Sequence, residues 1–165
     1  MPWSALSRVD TINEKIIQAL SKAFCIELKF GLESGSDTIL KNMNKKNTVA
    51  DAQRALDLCE FYGIKAKLFL IHGFPGENYE TTIETINFLK KNQNKINRVS
   101  LFSWTPLPGS YVYNNPDIYG LNKNILTFEN AIIYSENKNW FIDSNYNKIV
   151  QESLLKLKEF ISDKF

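Results

Sequence analysis

The sequence predicts an α/β protein built on a parallel sheet, and three observations carry that expectation. Apolar runs of strand length alternate with longer segments whose apolar residues recur at helical spacing. The runs stop in glycine- or proline-bearing loops: Gly31-Leu32-Glu33-Ser34-Gly35-Ser36, Gly73-Phe74-Pro75-Gly76 and Thr105-Pro106-Leu107-Pro108-Gly109-Ser110. Helix-start signals follow, such as Thr48-Val49-Ala50-Asp51 and the acids Glu77, Glu80 and Glu84. Strand, break and capped helix in repeating order imply parallel strands joined by right-handed crossovers.

At 165 residues the chain is long enough for one domain with a real core and too short for a complete eight-unit barrel. Its 44% hydrophobic and 23% charged content is ordinary for a soluble globular protein. A net charge of +2, with lysines scattered along the chain, gives no indication of a nucleic-acid partner. Cys25 and Cys59 lie far apart, each within an apolar pattern, and read as core thiols in a reducing compartment. No apolar run approaches the length of a membrane span, so a cytoplasmic protein is expected.

Taken in order, Ser7-Arg8-Val9-Asp10 reads as the end of a strand cut short. Thr11-Ile12-Asn13-Glu14 has the form of a capping box leading a helix from Ile12 to Lys22. Ile26, Leu28, Phe30 and Leu32 alternate with Glu27, Lys29, Gly31 and Glu33, which makes Cys25 to Leu32 a strand. The charged row, opposite the apolar one, suits the wall of a wet or ligand-filled cavity better than a dry barrel core. Ser36 or Asp37 starts a short helix through Met43, and Thr48 starts a second one that Gly63 ends.

The apolar run Ile64 to Ile71 then forms the strand around which the chain is organised, followed by a helix over Asn78 to Lys91. A polar linker, Asn92 to Asn97, leads to a strand over Val99 to Trp104. Beyond it the pattern weakens. A helix near Phe128 to Tyr134 and a last amphipathic helix over Lys148 to Phe160 are expected, with Tyr111, Tyr113, Tyr119, Phe128, Trp140 and Phe141 as packing for this tail.

The three loops, at the carboxyl ends of three successive strands, in this order closely resemble the later half of the radical S-adenosylmethionine core. The subgroup with an upstream cobalamin-binding domain and the methylthiotransferases are most similar. Arg8-Val9-Asp10, Lys46 before Thr48, and Asn115-Pro116-Asp117-Ile118-Tyr119-Gly120-Leu121 resemble the same subgroup. The resemblance covers about Arg8 to Leu121. It divides the chain into residues 1–121, the later part of a partial (β/α) barrel with outer helices, and a mostly helical extension, 122–165. It also implies cofactor-binding positions. Glu33 matches the polar residue that meets the ribose or amino acid part of S-adenosylmethionine, with Ser34 and Ser36 as neighbouring hydroxyls. Ile71 matches an apolar contact to adenine, Gly73 lets the backbone approach, and Trp104 and Thr105 run along adenine's other side. Each has a plainer rival: Ile71 as strand core, Glu77 as a partner of the helix dipole, lone His72 in a structural or solvent-facing role.

The sequence departs from the family in two ways: the glycine-rich loop expected after the second strand, which positions the methionyl amine, is absent, and so is the cluster-binding segment. The family's CxxxCxxC loop holds a 4Fe-4S cluster, and Cys25 and Cys59 cannot supply three converging thiolates. The expected reading is therefore a fragment of a radical S-adenosylmethionine enzyme, serving radical-initiated methyl transfer or related chemistry on an unidentified substrate. Cluster ligands, and cobalamin where the subgroup uses it, would come from a missing amino-terminal half or a complementing chain. The isolated chain is not expected to be active. The alternative is a noncatalytic half-barrel scaffold that pairs or self-associates through its open sheet edge.

Overall fold

The computed structural model describes residues 1–132 and 139–165. Four strands, β1 Trp3–Ser7, β2 Cys25–Glu33, β3 Lys65–His72 and β4 Ile96–Ser103, form one parallel sheet in sequence order. Helices fill every crossover: α1 Glu14–Lys22, then α2 Asp37–Asn42 with α3 Val49–Phe61, then α4 Tyr79–Lys91. Crossovers of one hand between neighbouring strands place all these helices on one face of the sheet. The core lies there. Leu28, Phe30 and Leu32 of β2 and Ala66, Leu68 and Leu70 of β3 share a cluster with Ile17 of α1, Leu56 of α3 and Leu89 of α4. The alternate strand residues, including Lys29, Phe69 and Ile71, face the other way and are only half-buried. On that face Leu6 and Phe102 stay open to solvent.

The capping box expected at the start of α3 is present, with Thr48 and Asp51 exchanging side-chain to backbone bonds. At the amino end the expectations need correcting. The strand is Trp3–Ser7, and Val9–Thr11 form a 3-10 turn in which the Thr11 hydroxyl donates to the Arg8 carbonyl. Thr11 is thereby occupied, and the cap of α1 is Asn13, whose side chain accepts the Ile16 N–H at 3.0 Å. Likewise β4 begins at Ile96, inside the expected polar linker, because Ile96 is buried against the core.

The tail holds α5 Tyr111–Asn114, α6 Phe128–Ile132 and α7 Ser144–Lys164. The expected helix at 128–134 is seen through Ile132; residues 133 and 134 lie outside the described residues. The last helix is longer than its apolar pattern, since Asp143 caps it by accepting from Asn145 and Tyr146. Its Leu157 enters the main core beside α4. Trp140 and Phe141 pack with Ile39, Phe74, Val112 and Leu121 in a second cluster, with Tyr119 against it, so these serve packing as expected, whereas Tyr111 and Phe128 are exposed and depart from that expectation. No helix among the described residues is long and apolar enough to cross a membrane.

Candidate functional site

The site is built at the carboxyl ends of β2, β3 and β4. In β2 the pairing with β3 slips between Gly31 and Glu33, and Glu33 adopts a φ of +71°, a left-handed conformation costly for a non-glycine residue. The slip folds the Glu33 carboxylate back over the sheet: a Cβ on Gly31 would lie 2.8 Å from Glu33 Oε1. Lys45, in the loop after α2, donates to the same oxygen at 2.8 Å. On β3, Ile71 faces the same side.

Where β4 ends, the Trp104 N–H donates to the His72 carbonyl at 2.7 Å, which fixes the Trp104 backbone over the end of β3. The Trp104 ring meets Phe74 edge-on at 5.4 Å and stacks on Phe141 at 6.2 Å. Together Glu33, Ile71, Trp104 and Thr105 surround a largely apolar cavity of about 580 Å³, closed by Gly31, Phe69, Phe74 and Phe102. Beyond Phe141 lies a second cavity of about 520 Å³, bordered by Asn42, Gly76, Tyr119 and Tyr146.

The other expected site residues sit behind this wall. Ser34 and Ser36 are buried. The Ser34 hydroxyl lies 3.3 Å from that of Thr85 and accepts the Ser36 N–H, while Gly35 N–H donates to Thr85. The loop thus packs on α4, so closely that a Cβ on Gly35 would fall 2.6 Å from the Thr85 backbone. Gly73 has a φ of +94°, and its open side meets Val150 of α7. Sequence reading missed Lys45, Phe74 and Phe102; Phe69 carried a signal, as it alternates with Ile71 on β3.

Two buried ionisable groups brace the loop between β3 and α4. His72 is structural, as expected, and is buried rather than solvent-facing. Its Nε2 lies 3.1 Å from the Thr82 hydroxyl and 3.2 Å from that of Ser153, and burial pushes its pKa down to about 4. Glu77, 1% exposed, accepts from the Thr81 hydroxyl at 2.6 Å and from the Gly73 N–H. Burial outweighs those bonds and pushes it up to about 7. Glu77 therefore closes the 73–77 loop on itself, a role beyond the helix dipole. From α7, the Tyr146 hydroxyl accepts the Gly76 N–H at 2.8 Å.

The profile of the radical SAM superfamily matches residues 4–89. The chain belongs to that superfamily. Among curated relatives, an uncharacterized methyltransferase of Pyrococcus horikoshii is 32% identical over 98% of this radical SAM chain and 31% of its own length. The threonylcarbamoyladenosine tRNA methylthiotransferase MtaB of Thermotoga maritima is 29% identical over 62% of the chain and 24% of its own. The radical SAM chain thus spans under a third of the length of these relatives. Among solved structures, the archaeal Elp3 of Methanocaldococcus infernus aligns at a TM-score of 0.64 and 19% identity, over 94% of the chain and 42% of its own. The radical S-adenosylmethionine methyltransferase TsrM of Kitasatospora setae, solved with cobalamin and a [4Fe-4S] cluster, aligns at 0.54 and 18%, over 61% and 20%. These likenesses give the sheet its architecture: an α/β partial barrel with a helical carboxyl-terminal tail.

Radical SAM members use S-adenosylmethionine and a 4Fe-4S cluster, and the two fit this chain differently. Among the described residues no group of three or more His, Cys, Asp or Glu could hold a metal. Cys25 and Cys59 are both buried, and burial pushes the Cys59 thiol up to about 12. These residues do not fit a cluster. The 580 Å³ cavity does fit a nucleoside, with an apolar wall at Ile71 and Trp104 and one carboxylate at its edge.

Proposed function

We propose that this chain forms the cosubstrate-facing wall of a radical S-adenosylmethionine enzyme that carries out methyl transfer or related chemistry in its intact form. The observation that carries the reading is the convergence of Glu33, Ile71, Trp104 and Thr105 on one cavity at the carboxyl ends of three parallel strands. That end of a parallel sheet is where loops deliver ligand contacts. Ile71 and the Trp104 ring hold the adenine, and the Glu33 carboxylate, tethered by Lys45, accepts from the ribose hydroxyls. The aromatic wall of Phe74, Trp104 and Phe141 excludes water from the reacting end. A reduced 4Fe-4S cluster held by another segment would supply the electron for reductive cleavage of bound S-adenosylmethionine, with methionine as the other product. The cluster ligands come from another polypeptide segment, and cobalamin is proposed for the intact enzyme on the subgroup resemblance.

Titration of S-adenosylhomocysteine into the purified chain tests the reading. Saturable binding is expected, weakened about tenfold by Glu33→Ala, the loss of a charged hydrogen-bond acceptor. Glu77→Ala is expected to weaken it less. Equal effects of the two substitutions would remove Glu33 from the site.

A further inference from the structure

The second cavity, of about 520 Å³, lies outside the proposed nucleoside site, and its lining has a chemistry of its own. Three aromatic side chains reach it from two segments: Tyr119 from the loop after α5, Phe141 just before α7, and Tyr146 in the first turn of α7. Backbone pairing sets the segments together. Leu121 bridges Phe141 antiparallel, the Ile142 N–H donating to the Gly120 carbonyl at 2.9 Å and the Asn122 N–H to the Trp140 carbonyl at 2.8 Å. The Phe141 and Tyr146 rings then stand at 83° with centroids 4.6 Å apart, a corner of two aromatic walls. Both are tethered. The Asn147 side chain exchanges two hydrogen bonds with the Phe141 backbone, and the Gly76 N–H holds the Tyr146 hydroxyl. Tyr119 and Tyr146 remain half-buried.

The charge at this cavity has one sign. Asp143 lines it, and its Oδ1 alone takes the Asn145 and Tyr146 N–H groups that open α7. Its Oδ2 has no partner among the described residues. The Asn42 side chain donates Nδ2 to the Pro75 carbonyl at 3.3 Å, and its Oδ1 likewise has no donor among the described residues. No Lys or Arg among the described residues lines the cavity, and Lys123, four residues beyond Tyr119, is paired with Asp117. The start of α7 brings a partial positive charge of about half a unit, which the full charge of Asp143 exceeds. What is left is a net negative charge beside ring faces that are themselves electron-rich.

We propose that this cavity binds a small organic cation through an alkylammonium group, primary or methylated. The ammonium lies against Tyr119, Phe141 and Tyr146, since a ring face attracts a cation within about 6 Å of its centre. Asp143 Oδ2 supplies the counter-charge. An anionic ligand would meet the Asp143 charge with no cation to offset it, and an apolar one would strip water from that carboxylate without replacing it. The site is separate from the cosubstrate cavity: Trp104, which lines the first, stacks on Phe141, which lines the second. The inference therefore stands independently of the proposed function.

The probes are choline, ethanolamine in its protonated form, and 3,3-dimethyl-1-butanol, the uncharged carbon isostere of choline. Each is titrated into the isotopically labelled full chain and followed by backbone amide shifts. One or both cations are expected to bind about fivefold or more tightly than the alcohol, with shifts at Gly76, Tyr119 and Tyr146. Which cation leads separates a methylated from a primary ammonium, and either supports the proposal. Asp143→Asn keeps a side-chain acceptor to cap α7 while removing the charge, and Tyr119→Leu removes one ring. Each is expected to cut the preference about threefold or more. Asp163→Asn, exposed near the far end of α7, is expected to leave it intact. Cations that bind no better than the alcohol overturn the proposal, as does a preference unchanged in either Asp143→Asn or Tyr119→Leu. Shifts gathered at Gly31 and Ile71 would overturn it too, since the cation would then occupy the first cavity.

Discussion

Two side chains a few residues apart, His72 and Glu77, are buried with opposite consequences for stability. The unfolded chain protonates His72 near 6.5, while the folded chain resists until about 4. Stability from this group is complete above 6.5 and is lost as pH falls through that window. Glu77 runs the other way: unfolded it releases its proton near 4.5, but folded it keeps it to about 7. Its contribution is complete below 4.5 and is lost as pH rises to 7. Each shift corresponds to roughly 3 kcal/mol, so between pH 4.5 and 6.5 the two nearly cancel. Denaturant unfolding across that window should show a near-flat profile for the wild-type chain. Glu77→Gln should turn it into a rise with pH and His72→Gln into a fall. A flat profile in either variant would show that the two groups are not buried as described. Neither burial was legible in the sequence. Both depend on α7, which arrives from the far end of the chain and supplies Ser153 and Tyr146.

At the scale of elements, the strand and helix order could be read because period-two and helical patterns alternate cleanly from Cys25 to Lys91. Thr48 and Asp51 advertised their helix start with both halves of the capping box, and Thr48→Ala should cost about 1 kcal/mol in unfolding free energy. The cap of α1 misled, because Thr11 and Asn13 both have capping chemistry and only the 3-10 turn decides between them. The extent of α7 was likewise hidden. Its start is set by the Asp143 cap, and its body is held against α4 by contacts that include the Tyr79 hydroxyl on Glu152, neither of which its own apolar spacing reveals. Leu157 is its anchor in the core, whereas Leu155 is exposed. Leu157→Ala should cost about 3 kcal/mol and Leu155→Ala less than about 0.5, measured by chemical denaturation. Similar losses for both would mean that α7 does not seat on the sheet through Leu157.

Over the whole molecule, the sequence showed three loops and the structure shows what the register does with them. Glu33, Ile71 and Trp104 belong to three different segments and converge because parallel strands end together. Lys67 and Arg98 looked like scattered solvated charges for the same reason: only the strand pairing sets them beside Lys29, which the charged row on β2 had already marked. Ser34 and Ser36 looked accessible because small polar residues usually mark exposed turns, yet tight packing on α4 buries them. A chain with two buried cysteines should gain no iron–sulfur absorption on anaerobic reconstitution, and a stable cluster would contradict the division of labour proposed here. The most direct measurement is the map of backbone amide shifts on adding S-adenosylhomocysteine to isotopically labelled chain. The account predicts saturable shifts concentrated at Gly31, Glu33, Ile71, Trp104 and Thr105. Shifts gathered instead around Tyr119 and Tyr146 at the second cavity, or no saturable shifts at all, would contradict it.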